Sequence, residues 1–328
     1  MNTDNKKSER LLSAMGGISD DLVLSAAQES KKEMPSRKPR WVAAIAAAVL
    51  VLTLAAGAGA AGFIPGLSNV FSPAFYYEEG EEPDIELLEQ LGQPIGVSVE
   101  NQGVTVTVQS ILRDRYTLTA VLSVHKNGLE GNTIHFDWNK MKIGDHTLLG
   151  GSSTKDTIPG DDTQEYVVTW DEEEPIPTGK MELTLENLVL NDRHVFREKR
   201  IRGTWTLEFD ADIEDLSRNL PAGQHLTVDG GEVVLEEITL SPLSLVMKLS
   251  GLSTEEWEGP DFIITMKDGT ELVNPLYHGE DNSISRYAGS RVHGVDSFRF
   301  TYTANFSRLV PFDEVESIVI EGQEIPLR

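Results

Sequence analysis

The sequence contains no cysteine, and this absence excludes three kinds of chemistry. The chain has no disulfides, cannot bind a metal through thiolates and cannot use a cysteine nucleophile. Its seven histidines are scattered, and it has no HExxH, GxSxG, phosphate-loop or dinucleotide-binding motif. We therefore expect a protein that is not an enzyme and uses no cofactor.

Basic residues are also scarce, since 28 Lys and Arg stand against 53 Asp and Glu, for a formal net charge of −25. The first 40 residues hold 8 of these cations and 6 of the anions, so the acidic excess lies further along the chain. A surface of this charge repels nucleic acid, which we exclude as a partner.

One long stretch, residues 41–64, carries no charge at all. At ~1.5 Å per residue it is long enough as a helix to cross a hydrocarbon core of ~30 Å, and it predicts one transmembrane helix. Lys and Arg cluster before Trp41 and carboxylates follow Ile64, which predicts a single-pass protein of the bacterial plasma membrane. Residues 1–40 are then cytoplasmic and the later domains extracellular. The alternative is a cleaved secretory signal ending near Ala58.

The predicted cytoplasmic tail contains two short apolar stripes at helical spacing, separated by two glycines. Helices this short are marginal alone, and an unpartnered apolar face is typical of a helix that binds a groove in another protein. The candidate partner-binding residues are Leu11, Leu12, Met15, Ile18, Leu22 and Val23. The alternatives are that the stripes pack on each other or have no fixed structure.

Residues 65–93 read as an acidic spacer with one or two helical turns near Leu88, and beyond them the apolar period becomes two. Val104, Val106 and Val108 form one such row, and Leu118 to Val124 form another after a turn at residues 113–115. This alternation predicts half-buried antiparallel strands. Further strands are predicted at residues 134–142, 165–170, 181–188, 204–209, 262–267, 297–303 and 315–321.

The second half of this region repeats the first at an offset of 127 residues. The offset aligns Gly230 with Gly103, Val233 with Val106, Leu235 with Val108, Ile238 with Ile111, Leu245 with Leu118, Leu249 with Leu122 and Ser250 with Ser123. We therefore predict a mainly β protein with two tandem immunoglobulin-like β-sandwiches, at residues 94–196 and 197–328. The sequence leaves open which domain contains the strand at 204–209.

Two groups of polar residues have metal-ligand spacing. His135 and Asp137 lie on one face of a predicted strand, and alternating carboxylates occur at residues 210–215. Neither group has a complete ligand set, so we favour a solvated strand face and an acidic linker and predict no metal site.

The tail SERLLSAMGGISDDLVLSAA, the segment GQPIGVSVENQGVTVTVQSILRDRYTLTAVLSV and the later GTWTLEFDADI resemble a family of bacterial membrane proteins, domain of unknown function 4179. The resemblance implies an anti-sigma-factor-like protein whose tail binds a sigma factor of the extracytoplasmic-function class. It supplies no functional residues, because none are established for the family. We thus expect a membrane regulator that couples extracytoplasmic ligand binding to a cytoplasmic partner. The alternative is a non-enzymatic adhesion or structural protein of the cell envelope.

Overall fold

The structure is a computed structural model. It describes residues 71, 74–75, 84–129, 132–149, 151–154, 162–192, 197–228, 231–252, 257, 259–274, 284–293 and 298–328. All of them belong to one compact unit within residues 47–328. They form two β-sandwiches in succession, preceded by a short helix.

Helix α1 spans Ile85–Leu91 and leads directly into the first sandwich. It begins at Asp84, whose side chain accepts a hydrogen bond of 3.1 Å from the Leu87 amide and so caps an otherwise unpaired donor. Leu88 and Leu91 are buried, which gives the helix one apolar face. This helix lies within the turns that the sequence predicts at the end of the spacer.

The described residues of the first sandwich form nine strands in two sheets. The strands are β1 Gly92–Asn101, β2 Val104–Arg113, β3 Thr117–His125, β4 Asn132–Ile143, β5 His146–Leu149, β6 Gly151–Thr154, β7 Thr163–Asp171, β8 Gly179–Asp192 and β9 Arg197–Ala211. One sheet has the order β1-β2-β3-β7-β6 and the other β5-β4-β8-β9, with antiparallel pairing throughout. Residues from both sheets, among them Leu122 and Trp205, form one buried core.

The second sandwich repeats this arrangement. Its elements are β10 Arg218–Leu220, β11 His225–Val228, β12 Gly231–Leu240, β13 Ser244–Leu252, β14 Phe262–Met266, β15 Glu271–Val273, β16 Ile284–His293, β17 Phe298–Phe306, a 3-10 helix Phe312–Glu314, β18 Val315–Ile320 and β19 Gln323–Ile325. The order β10-β12-β13-β17-β16, with β11 also paired to β12, faces a sheet of order β15-β14-β18-β19. A second core fills the space between these sheets.

The predicted repeat is confirmed at the level of single residues. Shifting β2 and β3 by 127 positions reproduces the bounds of β12 and β13. The ladder register also shifts at equivalent places, after Val108 in the first sandwich and after Leu235 in the second. Leu122 and its counterpart Leu249 are both buried, so the predicted inward-facing register is right.

The predicted fold class joined two sandwiches to a transmembrane helix and a helical tail, and this combination is wrong. The structure is mainly β, but no helix within the described residues is long and apolar enough to cross a membrane, and α1 has only seven residues. In the described strands, apolar residues occur at every second position, and this pattern forms one apolar face of a sheet. A helix that spans a membrane instead needs about 20 consecutive apolar residues. Residues 1–40 and 41–64, to which the sequence assigns the tail and the span, lie outside the described residues.

The strand predicted at 204–209 lies in the first sandwich. It is part of β9, which pairs along its length with β8, and Trp205 and Leu207 are buried in the first core. The boundary predicted between residues 196 and 197 is therefore misplaced, because it would remove an entire strand from the first sheet pair. The described chain passes to the second sandwich after Ile213, whose side chain still packs in the first core.

Candidate functional site

The two sandwiches meet at two equivalent hairpin turns. The first turn joins β2 to β3 and contains Asp114, and the second joins β12 to β13 and contains Ser241. The repeat offset of 127 residues aligns Asp114 with Ser241 and Thr117 with Ser244. The duplicated fold therefore places the same turn of each sandwich at the junction.

Each turn is shaped by a polar side chain at its first position. The Asp114 carboxylate accepts hydrogen bonds from the amides of Tyr116 and Thr117, at 2.9 and 2.7 Å. The Ser241 hydroxyl accepts from the amides two and three residues further on, at 3.0 and 2.9 Å. Asp and Ser are both typical of this kind of turn, because their short side chains reach their own backbone.

The two turns are joined directly through the second carboxylate oxygen of Asp114. This Oδ2 accepts hydrogen bonds from the hydroxyls of Ser241 and Ser244, at 2.5 and 2.6 Å. Asp114 is only 1% exposed. Burial raises the pKa of Asp114, while the four hydrogen bonds that it accepts act in the opposite direction.

Arg115 makes a second contact across the junction. Its guanidinium forms an ion pair of 2.9 Å with Asp215 and donates at 2.5 Å to the side-chain oxygen of Asn219. Asp215 also accepts from the Ser217 amide, and together these partners lower its pKa although burial would raise it. Asp215 is one of the carboxylates with calcium-loop spacing, and the structure assigns it to an arginine.

Tyr116 makes the third contact. Its hydroxyl donates to Glu237 at 2.5 Å, and Glu237 also pairs with Lys248 at 3.3 Å. The Lys248 ammonium lies 4.8 Å from the centre of the Tyr116 ring, within cation–π range. Burial alone would raise the pKa of Glu237, but its tyrosine and lysine partners hold that pKa below the ordinary value.

A fourth contact joins the strand ends beside the turns. The Asp171 carboxylate accepts from the hydroxyl of Thr117 at 3.1 Å and from the side-chain amide of Asn305 at 3.0 Å. Asn305 begins an Asn-Phe-Ser glycosylation sequon, yet it is 6% exposed. Its burial in the junction makes it a poor acceptor for a glycan.

An apolar cluster covers one side of the junction. Leu112 reaches it from the first sandwich, and Leu243 and Leu309 reach it from the second. Phe71, Phe75, Leu88 and Leu91, all from the segment before the first sandwich, complete the cluster. This segment therefore contacts both sandwiches at once, a role that the sequence-based interpretation as a spacer does not predict.

A cleft of about 660 Å³ opens on another side. Glu173 and Glu174, in the loop after β7, line it from the first sandwich, while Lys248 and Arg299 line it from the second. The cleft is thus next to the contact between Tyr116 and Glu237, and it shares Lys248 with that contact.

The other residues singled out in the sequence do not converge. His135 lies 3.3 Å from the side-chain amide of Asn191, and Asp137 pairs with Arg200 at 3.3 Å. No cluster of three or more His, Asp or Glu suited to a metal occurs in the part of the chain that the structure describes. The six tail residues from Leu11 to Val23 proposed for partner binding lie outside the described residues.

The junction residues themselves were missed by the sequence reasoning, which treated residues 113–115 only as a turn. A usable signal exists, because the aligned repeats place a D-x-x-T turn on an S-x-x-S turn. Both patterns are typical of side-chain-capped turns, but neither indicates that the two turns touch.

The described residues thus define the class of the protein as two β-sandwiches related by duplication and joined by a polar junction. Residues 35–126 match the model of the family described as Domain of unknown function (DUF4179), which confirms the resemblance seen in the sequence. No curated protein matches the chain. The structure resembles a solved one, "The crystal structure of the conserved domain protein from Bacillus anthracis", with a TM-score of 0.50 and 17% identity. The similarity covers 74% of this chain and 81% of that chain, and at this identity it concerns the fold alone.

Proposed function

We propose that the protein is a non-enzymatic regulator at the bacterial plasma membrane. In this proposal the paired sandwiches lie outside the cell and bind a ligand, and the N-terminal tail binds a cytoplasmic protein. The family resemblance suggests the partner, a sigma factor of the extracytoplasmic-function class, which would make the protein anti-sigma-factor-like.

The apolar cluster at the junction is the observation that supports regulation. Leu112 lies two residues before Asp114, and Leu243 lies two residues after Ser241, so each leucine moves with its own turn. Leu88 and Leu91 of α1 pack in the same cluster. A change in the angle between the sandwiches would therefore displace the segment that leads back toward the tail.

The nature of the junction supports the same proposal. Its contacts are mostly ion pairs and hydrogen bonds between polar side chains, whereas each sandwich has its own apolar core. Interfaces of this polar type permit relative domain motion more readily than continuous apolar ones. A ligand that favours one angle between the sandwiches can shift such an equilibrium.

The partner is tested by capture on the full-length protein. We expect wild type to retain a sigma factor of the extracytoplasmic-function class, identified by mass spectrometry, and the double variant Leu12→Asp, Leu22→Asp to lose it. Leu24→Asp is the matched control, because this substitution introduces a carboxylate into the tail next to the second apolar stripe without replacing a residue of the stripe. If both variants retain the same proteins as wild type, or wild type retains none, the regulator proposal fails and the adhesion or structural alternative replaces it.

The location is tested separately with protease added to intact, wall-stripped cells. We expect residues beyond 65 to be degraded and residues 1–40 to be protected. Protection of the sandwiches would contradict the proposed location.

A further inference from the structure

The cleft between the sandwiches has one wall from each of them. On the second sandwich, Ser250 of β13 lies opposite Arg299 of β17, and Lys248 lies opposite Thr301. The residues between them, Leu249 and Phe300, are buried in the core, so these four polar side chains share the outward face of the sheet. Two cations and two hydroxyls thus form a compact patch on this wall.

The other wall is acidic. Glu173 and Glu174 extend from the loop after β7 and are exposed. The side chains of Glu174 and Arg299 make no ion pair or hydrogen bond with another described residue, although both line the same cleft. The two walls therefore present one carboxylate and one guanidinium in the same cleft, and neither group is paired with another described side chain.

The remaining charges of the cleft already have partners. Lys248 pairs with Glu237, and Glu236 accepts a hydrogen bond from the Ser250 hydroxyl at 2.5 Å. A ligand can therefore make one contact with a cation, Arg299, and one contact with an anion, Glu174. The Thr301 hydroxyl of β17 lies on the same wall as Arg299. A volume of about 660 Å³ lies in the range of small-molecule sites.

We propose that this cleft binds a zwitterionic ligand of the short-peptide type. Its carboxylate pairs with Arg299, which suits carboxylates because its guanidinium donates two parallel hydrogen bonds, and its ammonium group pairs with Glu174. The inference rests on the proposed function and specifies the ligand that the regulator detects.

Lys248 links the cleft to the junction. It lines the cleft and also pairs with Glu237, the acceptor of the Tyr116 hydroxyl. A ligand carboxylate bound to Arg299 lies on the same sheet face as Lys248, so it also attracts this lysine and weakens its ion pair with Glu237, which belongs to one of the four junction contacts. Ligand binding and the angle between the sandwiches are coupled through this shared cation.

The test uses trialanine as the probe, titrated calorimetrically into the full-length protein. N-acetyl-trialanine lacks the ammonium group and trialanine amide lacks the carboxylate, so each removes one proposed contact. We expect both to bind about tenfold or more weakly than trialanine, since each lost contact is a charge-assisted hydrogen bond. Absence of trialanine binding at millimolar concentration, or equal binding of all three peptides, overturns the proposal.

Variants assign the contacts to residues. Arg299→Gln should weaken the binding of trialanine about tenfold or more and should leave the binding of trialanine amide unchanged, because that peptide already lacks the carboxylate. Glu174→Gln should weaken the binding of trialanine by a similar factor and should leave the binding of N-acetyl-trialanine unchanged, because that peptide already lacks the ammonium group. Arg299→Lys keeps the charge and should restore part of the affinity. Arg200→Gln is the control, because Arg200 is also an exposed arginine but lies in β9 of the first sandwich, where its partners are Asp137 and Glu198. Unchanged affinity in Arg299→Gln, with folding verified by circular dichroism, refutes the site.

The outcome is distinguishable from failure of the proposed function. The tail variants at Leu12 and Leu22 should leave trialanine binding unchanged, because they lie outside the cleft. If the tail captures its sigma factor and trialanine does not bind, only the ligand inference is refuted. If trialanine binds and the tail captures nothing, the cleft remains a peptide site and the regulator proposal falls.

Discussion

The substitution Asp114→Asn tests how strongly the junction holds the two sandwiches together. An amide keeps one oxygen, which can still accept from the Tyr116 and Thr117 amides and preserve the turn. It replaces the second oxygen by a donor, so the hydroxyls of Ser241 and Ser244 lose their acceptor. The change therefore affects the contact between the sandwiches more than the local turn.

The expected loss follows from these two hydrogen bonds. A hydrogen bond to a charged group contributes about 1.5–3 kcal/mol, so two give about 3–6 kcal/mol. The neutral amide avoids part of the cost of burying a carboxylate, which burial imposes on Asp114 and which also raises its pKa. We therefore expect a net loss of about 2–4 kcal/mol in the free energy of unfolding.

Urea denaturation of the full-length protein, followed by tryptophan fluorescence, measures this loss. Trp205 is buried in the first core and Trp257 in the second, so the signal reports on both sandwiches. In the variant we expect the two cores to unfold in separate transitions, because the contact that couples them is weakened. A single transition with a loss below about 1 kcal/mol would refute the reasoning, since it would mean that the buried carboxylate stabilises nothing.

Asp268→Asn is the matched control. The Asp268 side chain accepts from the Thr270 amide at 2.8 Å in the turn between β14 and β15, as Asp114 does in its own turn. Asp268 faces solvent and contacts no other sandwich, so its substitution should leave the coupling of the two transitions unchanged.

Three further predictions concern the cores, the pH response and the apolar cluster. Leu122→Ala and Leu249→Ala should each lower the free energy of unfolding by about 2–5 kcal/mol in urea titrations, because both side chains are buried, and a loss under about 1 kcal/mol at either would contradict the equivalence of the repeats. Glu237→Gln should cost stability near pH 7, and urea titrations should show this cost shrinking as the pH is lowered below about 4. The folded pKa of Glu237 is lowered, so its contribution is full above the unfolded pKa of about 4.3 and is lost as the pH falls through the folded value. Gly92→Ala should displace Phe71, because an added Cβ would lie 2.5 Å from its ring, and faster proteolysis of the segment before β1 would report the release, whereas an unchanged cleavage rate would not fit this packing.

Strand positions and the duplication were predictable because they depend on local alternation. Apolar residues at every second position form a sheet face wherever the strand ends up, so Leu118 and Leu122 had to be buried together. The short strands β5, β6 and β15 were not predicted, because three or four residues are too few to establish a period.

The sequence by itself determined the β class, the repeat offset of 127 residues and the inward-facing positions of each core. Only the tertiary structure decided that β9 belongs to the first sandwich, that Asp114 meets Ser241 and that one apolar cluster gathers residues from Phe71 to Leu309. The physical reason is the separation along the chain of the residues that interact. Alternation and turn chemistry act over a few residues, whereas the place of β9 depends on its pairing with β8 along the whole strand. The contact between Asp114 and Ser241 and the apolar cluster join residues more than a hundred positions apart and depend on how the two sandwiches pack.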